Sequence, residues 1–286
     1  MANDAHVPEL RYASTVDEAV GELARLGADG APIAGGTWVM LAPLRRMPTH
    51  RSYVALTRVE ELGRLVEGDP TSIGGAVTMA GLRGLSGPLA ALGYAAAHSA
   101  PPAIANVATL AGNLRAAPYP GADLVAPLLA LDAALELASP DGRSTLPLGD
   151  YLASRDARPA AELIVRAIVP APAGRRSAYE RLTVRESGEE PVASVAVSVD
   201  LAADGAVMAA RVAFGSVEDV ARRSAAAEAA LVGGPLTAER AEAAGKAAQG
   251  ELTGREGLDA PGWYRVAVLP ALVRRAVARL DAPLEA

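Results

Sequence analysis

Two short glycine-bearing segments hold the residue types in this chain that are best suited to chemistry. Ala34-Gly35-Gly36-Thr37 lies in the first fifth, and Thr109-Leu110-Ala111-Gly112-Asn113 follows about seventy residues later. Adjacent glycines let main-chain N–H groups approach a bulky anion, because no Cβ intervenes and positive φ is tolerated. Two such loops suit a ligand with two linked phosphates, held by backbone donors instead of lysines. Thr37 and Thr109 add hydroxyls and Asn113 a carboxamide, while Asp123 adds a carboxylate able to accept from a ribityl or ribose hydroxyl. Two other readings stand beside these. Each glycine pair also reads as an ordinary tight turn, and Asp123 also reads as the N-terminal cap of the helix that follows it.

Other chemistries find little support. His6, His50 and His98 are isolated, with no His-x-x-His or Glu-x-x-His spacing for a metal. The chain has no Gly-x-Ser-x-Gly elbow, no P-loop, and no Gly-x-Gly-x-x-Gly opening a helix after the first strand. Lysine is nearly absent, and Lys246 sits in an Ala-rich helical stretch unsuited to Schiff-base chemistry. There are no cysteines, which excludes disulfides, thiolate metal sites, iron–sulfur ligation and a cysteine nucleophile within this chain.

Composition narrows the class further. The 286 residues are enough for two domains, and with 51% hydrophobic but only 3% aromatic residues the cores must be built from Ala, Val and Leu. A net charge of −6 with no block of like charge argues against nucleic acid or an anionic membrane surface as partner. The pairs Arg45-Arg46, Arg175-Arg176, Arg222-Arg223 and Arg274-Arg275 read as solvated faces. Residues 1–10 are polar and no stretch is long enough to span a bilayer, so a cytoplasmic location is expected.

The elements that must position the glycine segments can be read from punctuation and period. Thr15-Val16-Asp17-Glu18 forms a capping box, and Val16, Ala19, Val20, Leu23 and Ala24 make one apolar stripe that Gly27 ends. Residues 31–34 are a short strand running into the first glycine loop. Strands are also expected at 53–56 and 72–78, with helical segments at 60–65, 86–97 and 122–131. Residues 133–138 and 144–147 make a hairpin around Asp141-Gly142, and 162–169 is a buried strand. Pro170-Ala171-Pro172-Ala173-Gly174 marks a domain boundary. Beyond it, 178–184, 192–201 and 206–214 predict a three-stranded antiparallel sheet, followed by helices at 221–231, 237–249 and 266–280. Strands followed by helices imply an α+β domain with the helices on one sheet face.

Five motifs occur in a fixed order: Ala-Gly-Gly-Thr at 34–37, Ile-Gly-Gly-Ala-Val-Thr at 73–78, Ile-Ala-Asn-Val-Ala-Thr-Leu-Ala-Gly-Asn-Leu at 104–114, Glu-Leu-Ile-Val-Arg-Ala-Ile-Val-Pro at 162–170, and Tyr179-Glu180-Arg181-Leu182. The series resembles the FAD-binding medium subunit of molybdenum hydroxylases, the xanthine dehydrogenase and carbon monoxide dehydrogenase families, over nearly the whole chain. The resemblance implies a two-subdomain FAD-binding domain of the vanillyl-alcohol-oxidase (PCMH) type over residues 1–172, with subdomains of about 1–58 and 59–172. A small α+β C-terminal domain would cover 177–286. Ile33, Ala34, Gly35, Gly36, Thr37 and Trp38 would wrap the pyrophosphate, with Thr109, Ala111, Gly112 and Asn113 on its other side. Asp123 matches a carboxylate that contacts the cofactor, Ile164 falls near a residue packing by the adenine, and Arg181 sits where a cation reaches the flavin. In such complexes an iron–sulfur small subunit relays electrons from a molybdenum-cofactor large subunit to this FAD, which passes them to NAD, a quinone or oxygen.

The chain departs from the family pattern at five points. Ala111 stands where glycine is usual, Trp38 where a small or acidic residue is common, and Ser99 where some members have an aromatic ring. The spacing from Asn113 to Asp123 is one residue longer than usual. Gly188-Glu189-Glu190-Pro191 replaces a Gly-Asp-Phe-Ala type sequence near the expected flavin ring, where two carboxylates would disfavour the anionic reduced flavin if they face it and have no such effect if they face solvent. These departures keep two alternatives open. One is a stand-alone FAD-dependent oxidoreductase acting on a small organic molecule, its acid–base candidates being Glu189, Glu190 and Tyr119 beside Arg181. The other is a binding scaffold that has lost FAD.

Overall fold

A computed structural model describes residues 7–44, 47, 49–185 and 190–280. Three sheets organise the chain. The first joins β1 (Glu9–Tyr12), β2 (Gly30–Ile33) and β3 (Ser52–Ala55) in the order β1-β3-β2, all parallel. Its helix, Val16–Leu26, begins as the capping motif requires, with Thr15 Oγ1 accepting from Glu18 N–H and the Glu18 carboxylate accepting from Ser14 N–H. Val16, Ala19, Val20 and Leu23 are buried against Val54 and Leu56, whereas Ala24 faces solvent.

The second sheet is antiparallel throughout. It runs β4-β5-β8-β6-β7, where β4 is Leu65–Val66, β5 Thr71–Gly74, β6 Ala134–Ser139, β7 Gly142–Pro147 and β8 Leu163–Val169. The hairpin at Asp141-Gly142 forms as expected. The strand expected over 72–78 ends at Gly74, because the next amides turn away: Gly75 N–H donates to Val165 O and Ala76 N–H to Leu62 O.

The third sheet has four strands, which corrects the expected three. Its order is β12-β11-β10-β9, with β9 Arg175–Leu182, β10 Ala193–Leu201, β11 Val207–Gly215 and β12 Arg222–Arg223. The added strand is one of the arginine pairs read as a solvated face. Arg223 pairs with Glu228 and Asp132, and Arg175 is buried beside Asp200, so those two are structural cations. Arg45-Arg46 lie outside the described residues. The helix expected from 221 starts only at Ala225, after the Ser224 cap.

The C-terminal helices cover one face of this third sheet, as expected, and the preceding domain covers the other. The helices Ala225–Leu231, Ala238–Gln249 and Leu269–Arg279 pack on one side with Val195, Val197 and Val199. On the other side Tyr179, Ala196 and Ala213 join the core of the preceding domain, against the helices Ala90–His98 and Val125–Ala130. Strand β10 is accordingly buried on both faces along most of its length. Small residues at Ser194, Ala196 and Ser198 let the first domain's helices approach that face closely.

Candidate functional site: a cleft between the two glycine segments

The two glycine segments meet. A Cβ on Gly35 would lie 1.8 Å from the Val107 carbonyl oxygen, so only glycine allows the first loop to rest on the chain just before Thr109. Gly36 has φ of +71°, and this left-handed turn sends the chain into the short helical turn Val39–Leu41. Together they line one cleft of about 400 Å³, a volume within the range of small-molecule sites.

The donors of the two segments are not equivalent. Among the described residues, the amides of Gly35, Gly36 and Thr37 donate no hydrogen bond to the protein. The second segment is not a loop but the helix Leu110–Arg115, and its amides are already used. Leu110 N–H donates to Val77 O at 2.9 Å, Ala111 N–H to Gly75 O at 2.8 Å, and Asn113 N–H to Thr109 O at 2.9 Å. Gly112 N–H donates to Thr109 Oγ1 at 3.2 Å, the N-cap bond. The helical amides of the second segment are thus used within the protein, and among the described residues the Thr109 amide ahead of them donates no hydrogen bond. From the second, the cleft receives side chains: Asn113 Oδ1 is fixed by Leu124 N–H at 3.2 Å, leaving its NH₂ as a donor on the cleft wall.

The remaining expected residues converge on the same space. Ile33, Ala34, Trp38, Thr109, Ala111, Gly112, Asp123 and Ile164 all line it, as do Tyr119 and Glu190. Trp38 and Tyr119 face each other with ring centroids 4.9 Å apart, an aromatic pair linking the first loop to the segment before Gly121. Ser99 lines the cleft too, its hydroxyl directed at Met79 Sδ. Glu190 is an exposed residue beside Gly121, and Glu189 lies outside the described residues.

Asp123 is buried and is not a helix cap. The helix that follows is Val125–Ala130, and its capping residue is Leu124, which carries no side-chain cap bond. Instead the Asp123 carboxylate accepts from the Tyr179 hydroxyl at Oδ1 and pairs with Arg181 through Oδ2 at 3.2 Å. Burial pushes its pKa up to about 6, against the opposing pull of Arg181 and Tyr179, and the charge of Glu190 adds to the rise. Burial and the facing carboxylate hold the Tyr179 phenol well above its ordinary range, so it remains a donor. Arg181 stands behind Asp123 and is not on the cleft wall, and its guanidinium also donates to the His98 carbonyl. Sequence reasoning missed Tyr179 as a site residue, although two-residue spacing from Arg181 on one strand already puts both on the same face.

Unbonded amides at a glycine turn, the Asn113 NH₂ and the Asp123 carboxylate on one cleft, whose lining also carries Arg115 and Glu162, fit a dinucleotide's diphosphate and hydroxyls. Fold and site thus define a two-part protein with a dinucleotide-sized cleft, to whose wall strand β8 of the second sheet contributes Leu163 and Ile164. A family model described as the FAD binding domain in molybdopterin dehydrogenase matches residues 8–172. A second, the carbon monoxide dehydrogenase flavoprotein C-terminal domain, matches residues 177–280. The carbon monoxide dehydrogenase medium chain of Hydrogenophaga pseudoflava is 31% identical, covering 94% of this chain and 95% of that one. The nicotine 6-hydroxylase medium subunit of Paenarthrobacter nicotinovorans is 30% identical over 96% of this chain and 99% of its own length. The solved Hydrogenophaga pseudoflava carbon monoxide dehydrogenase that lacks the Mo-pyranopterin moiety superimposes with a TM-score of 0.86 at 30% identity, covering 96% of this chain and 97% of that one. The chain belongs to the FAD-binding medium subunits of molybdenum hydroxylase-type oxidoreductases.

Proposed function

We propose that FAD lies in this cleft with its diphosphate against the amides of Gly35, Gly36 and Thr37. Asn113 donates from the opposite wall, Asp123 accepts from a sugar hydroxyl, and Ile164 packs by the adenine. Trp38, Thr109, Ala111 and Gly112 complete the walls, and Arg181 acts through Asp123. The observation that carries this reading is the set of three unbonded amides at a glycine turn whose residues line the cleft, opposite Asn113 and Asp123. When bound, FAD supplies the ability to take up two electrons and release them singly or as hydride.

The chain's own residues hold and orient the cofactor, and without cysteine they offer no second redox centre. In this reading electrons reach FAD from partner subunits. An iron–sulfur small subunit fed by a molybdenum-cofactor large subunit is the source, and NAD, a quinone or oxygen is the acceptor. Among the described residues no helix is long and apolar enough to cross a membrane. The complex we propose is cytoplasmic. The test compares the isolated chain loaded with FAD and the assembled complex under anaerobic mixing with a candidate substrate. Flavin bleaching only in the complex is the expected result. Bleaching by substrate in the isolated chain would establish the stand-alone oxidoreductase instead.

A further inference from the structure

Strand β9 turns alternate side chains toward the first domain, and Ser177, Tyr179 and Arg181 form that row. Each is bonded across the seam. Ser177 Oγ donates to Pro88 O at 2.7 Å and accepts from Ala91 N–H at 3.0 Å. Tyr179 has no exposed surface and donates to Asp123 Oδ1. Arg181 holds Asp123 Oδ2 at 3.2 Å. Asp123 belongs to the first domain and lines the cleft, yet both side chains that grip its carboxylate come from the second.

The direction of the Tyr179 bond is fixed from behind. Ser194 stands opposite Arg181 in the β10 register, is buried, and favours charge on the Tyr179 oxygen, as a donor beside the phenol does. The phenolic proton is then left for Asp123. A carboxylate has about four acceptor sites, so one donor on each oxygen leaves capacity for a further donor from the cleft.

We propose that Tyr179 is a positioning residue for FAD: with Arg181, its hydroxyl locks the Asp123 carboxylate in the orientation that accepts a cofactor hydroxyl. The inference rests on the reading that FAD occupies this cleft, and it gives the second domain a part in binding through a residue off the cleft wall. Tyr179 and Arg181 on β9, and Glu190 on the segment leading to β10, are the titratable and charged groups facing Asp123. Tyr179 and Arg181 favour the carboxylate anion, while Glu190 and burial oppose it, with the midpoint near pH 6. An anion accepts a hydroxyl proton more strongly than the neutral acid, so FAD binds best above that midpoint and loses affinity as the pH falls through it. Removing the phenol hydroxyl withdraws one stabilising donor from the anion, so the loss begins at a higher pH.

The test is FAD titration of the full chain by flavin fluorescence between pH 5 and pH 8. Wild type is expected to weaken by roughly fivefold to tenfold across its midpoint. Tyr179→Phe, which preserves the ring volume, is expected to move that midpoint up by about half a pH unit or more. Asp123→Asn is expected to bind weakly with a flat profile. Ser194→Ala, which frees the phenol's orientation, is expected to shift the midpoint in the same direction by less, and serves if Tyr179→Phe does not fold. A tyrosine that only fills space would weaken binding equally at every pH. A variant midpoint coincident with wild type therefore overturns the positioning role while leaving the FAD site standing. A wild-type chain that binds no FAD overturns both.

Discussion

Gly36→Val isolates the contribution of the first glycine turn. At φ of +71° a side chain enters the left-handed region, yet the nearest atoms to a Cβ there are Ile33 Cδ1 at 3.6 Å and Met40 Cγ at 3.7 Å, ordinary contacts. Space does not forbid the substitution; backbone conformation does. A β-branched residue at positive φ costs about 2–3 kcal/mol. The free loop relaxes to negative φ and rotates its peptide planes, so FAD must reimpose the strained turn to recover the amides of Gly36 and Thr37. The strain then subtracts from binding, a loss of roughly 30- to 150-fold in affinity. Gly36→Ala, without branching, costs about 1–2 kcal/mol and roughly fivefold to 30-fold. The assay is flavin-fluorescence titration of apoprotein, with thermal unfolding followed by circular dichroism as a control. The turn lies outside the three buried clusters, so the melting temperature stays within a few degrees of wild type. A valine variant that binds FAD with wild-type affinity refutes the reasoning.

Three further outcomes follow from the same geometry. Gly35→Ala puts a methyl into the Val107 carbonyl, so it should part the two segments and abolish FAD binding; retained binding in a titration contradicts that seam. Trp38 and Trp263 are the only tryptophans, and Trp263 is 70% exposed, so Trp263→Phe leaves stability unchanged and makes Trp38 the sole reporter. Its emission should be quenched as FAD fills the cleft, and an unchanged spectrum at saturation would remove Trp38 from the site. Arg265 is fully buried and donates to the carbonyls of Val192, Ser216, Arg255 and Ala260 as well as to Asp259. Arg265→Ala removes the donor from the Val192, Arg255 and Ala260 carbonyls, while Ser216 O keeps Arg255 Nε, and should lower stability by about 3–5 kcal/mol in urea unfolding, whereas a loss below 1 kcal/mol would show that water replaces the guanidinium.

Local signals in the sequence correspond to local structure, and the discrepancies have physical causes. The Thr15 box, the Asp141-Gly142 hairpin and the Gly35-Gly36 turn are specified by neighbouring residues and appear where expected. Strand β1, Glu9-Leu10-Arg11-Tyr12, does alternate polar and apolar residues, but four largely exposed residues at a sheet edge are too short a signal to separate from a loop. The helix Leu110–Arg115 reads as a loop because it contains Gly112 and Asn113. Its stability comes from the Thr109 cap and from tethers to Gly75 and Val77, which no local rule reveals. The C-terminal helix expected at 266–280 divides into Gly262–Ala267 and Leu269–Arg279, with Pro270 in the first turn of the second, where its missing N–H is harmless. For Asp123, the local cap reading competed with the site reading, and the deciding partner lies 56 residues away on β9.

The most direct test of the central claim compares FAD with FMN on the apoprotein by isothermal titration. FMN carries the same flavin ring and ribityl chain but lacks the second phosphate and the adenosine. If the amides of Gly35, Gly36 and Thr37 hold a diphosphate, FAD binds one per chain and FMN binds at least a hundredfold more weakly, on the order of 3 kcal/mol for lost charge-assisted hydrogen bonds and adenine packing. Equal affinity for the two flavins would contradict the account.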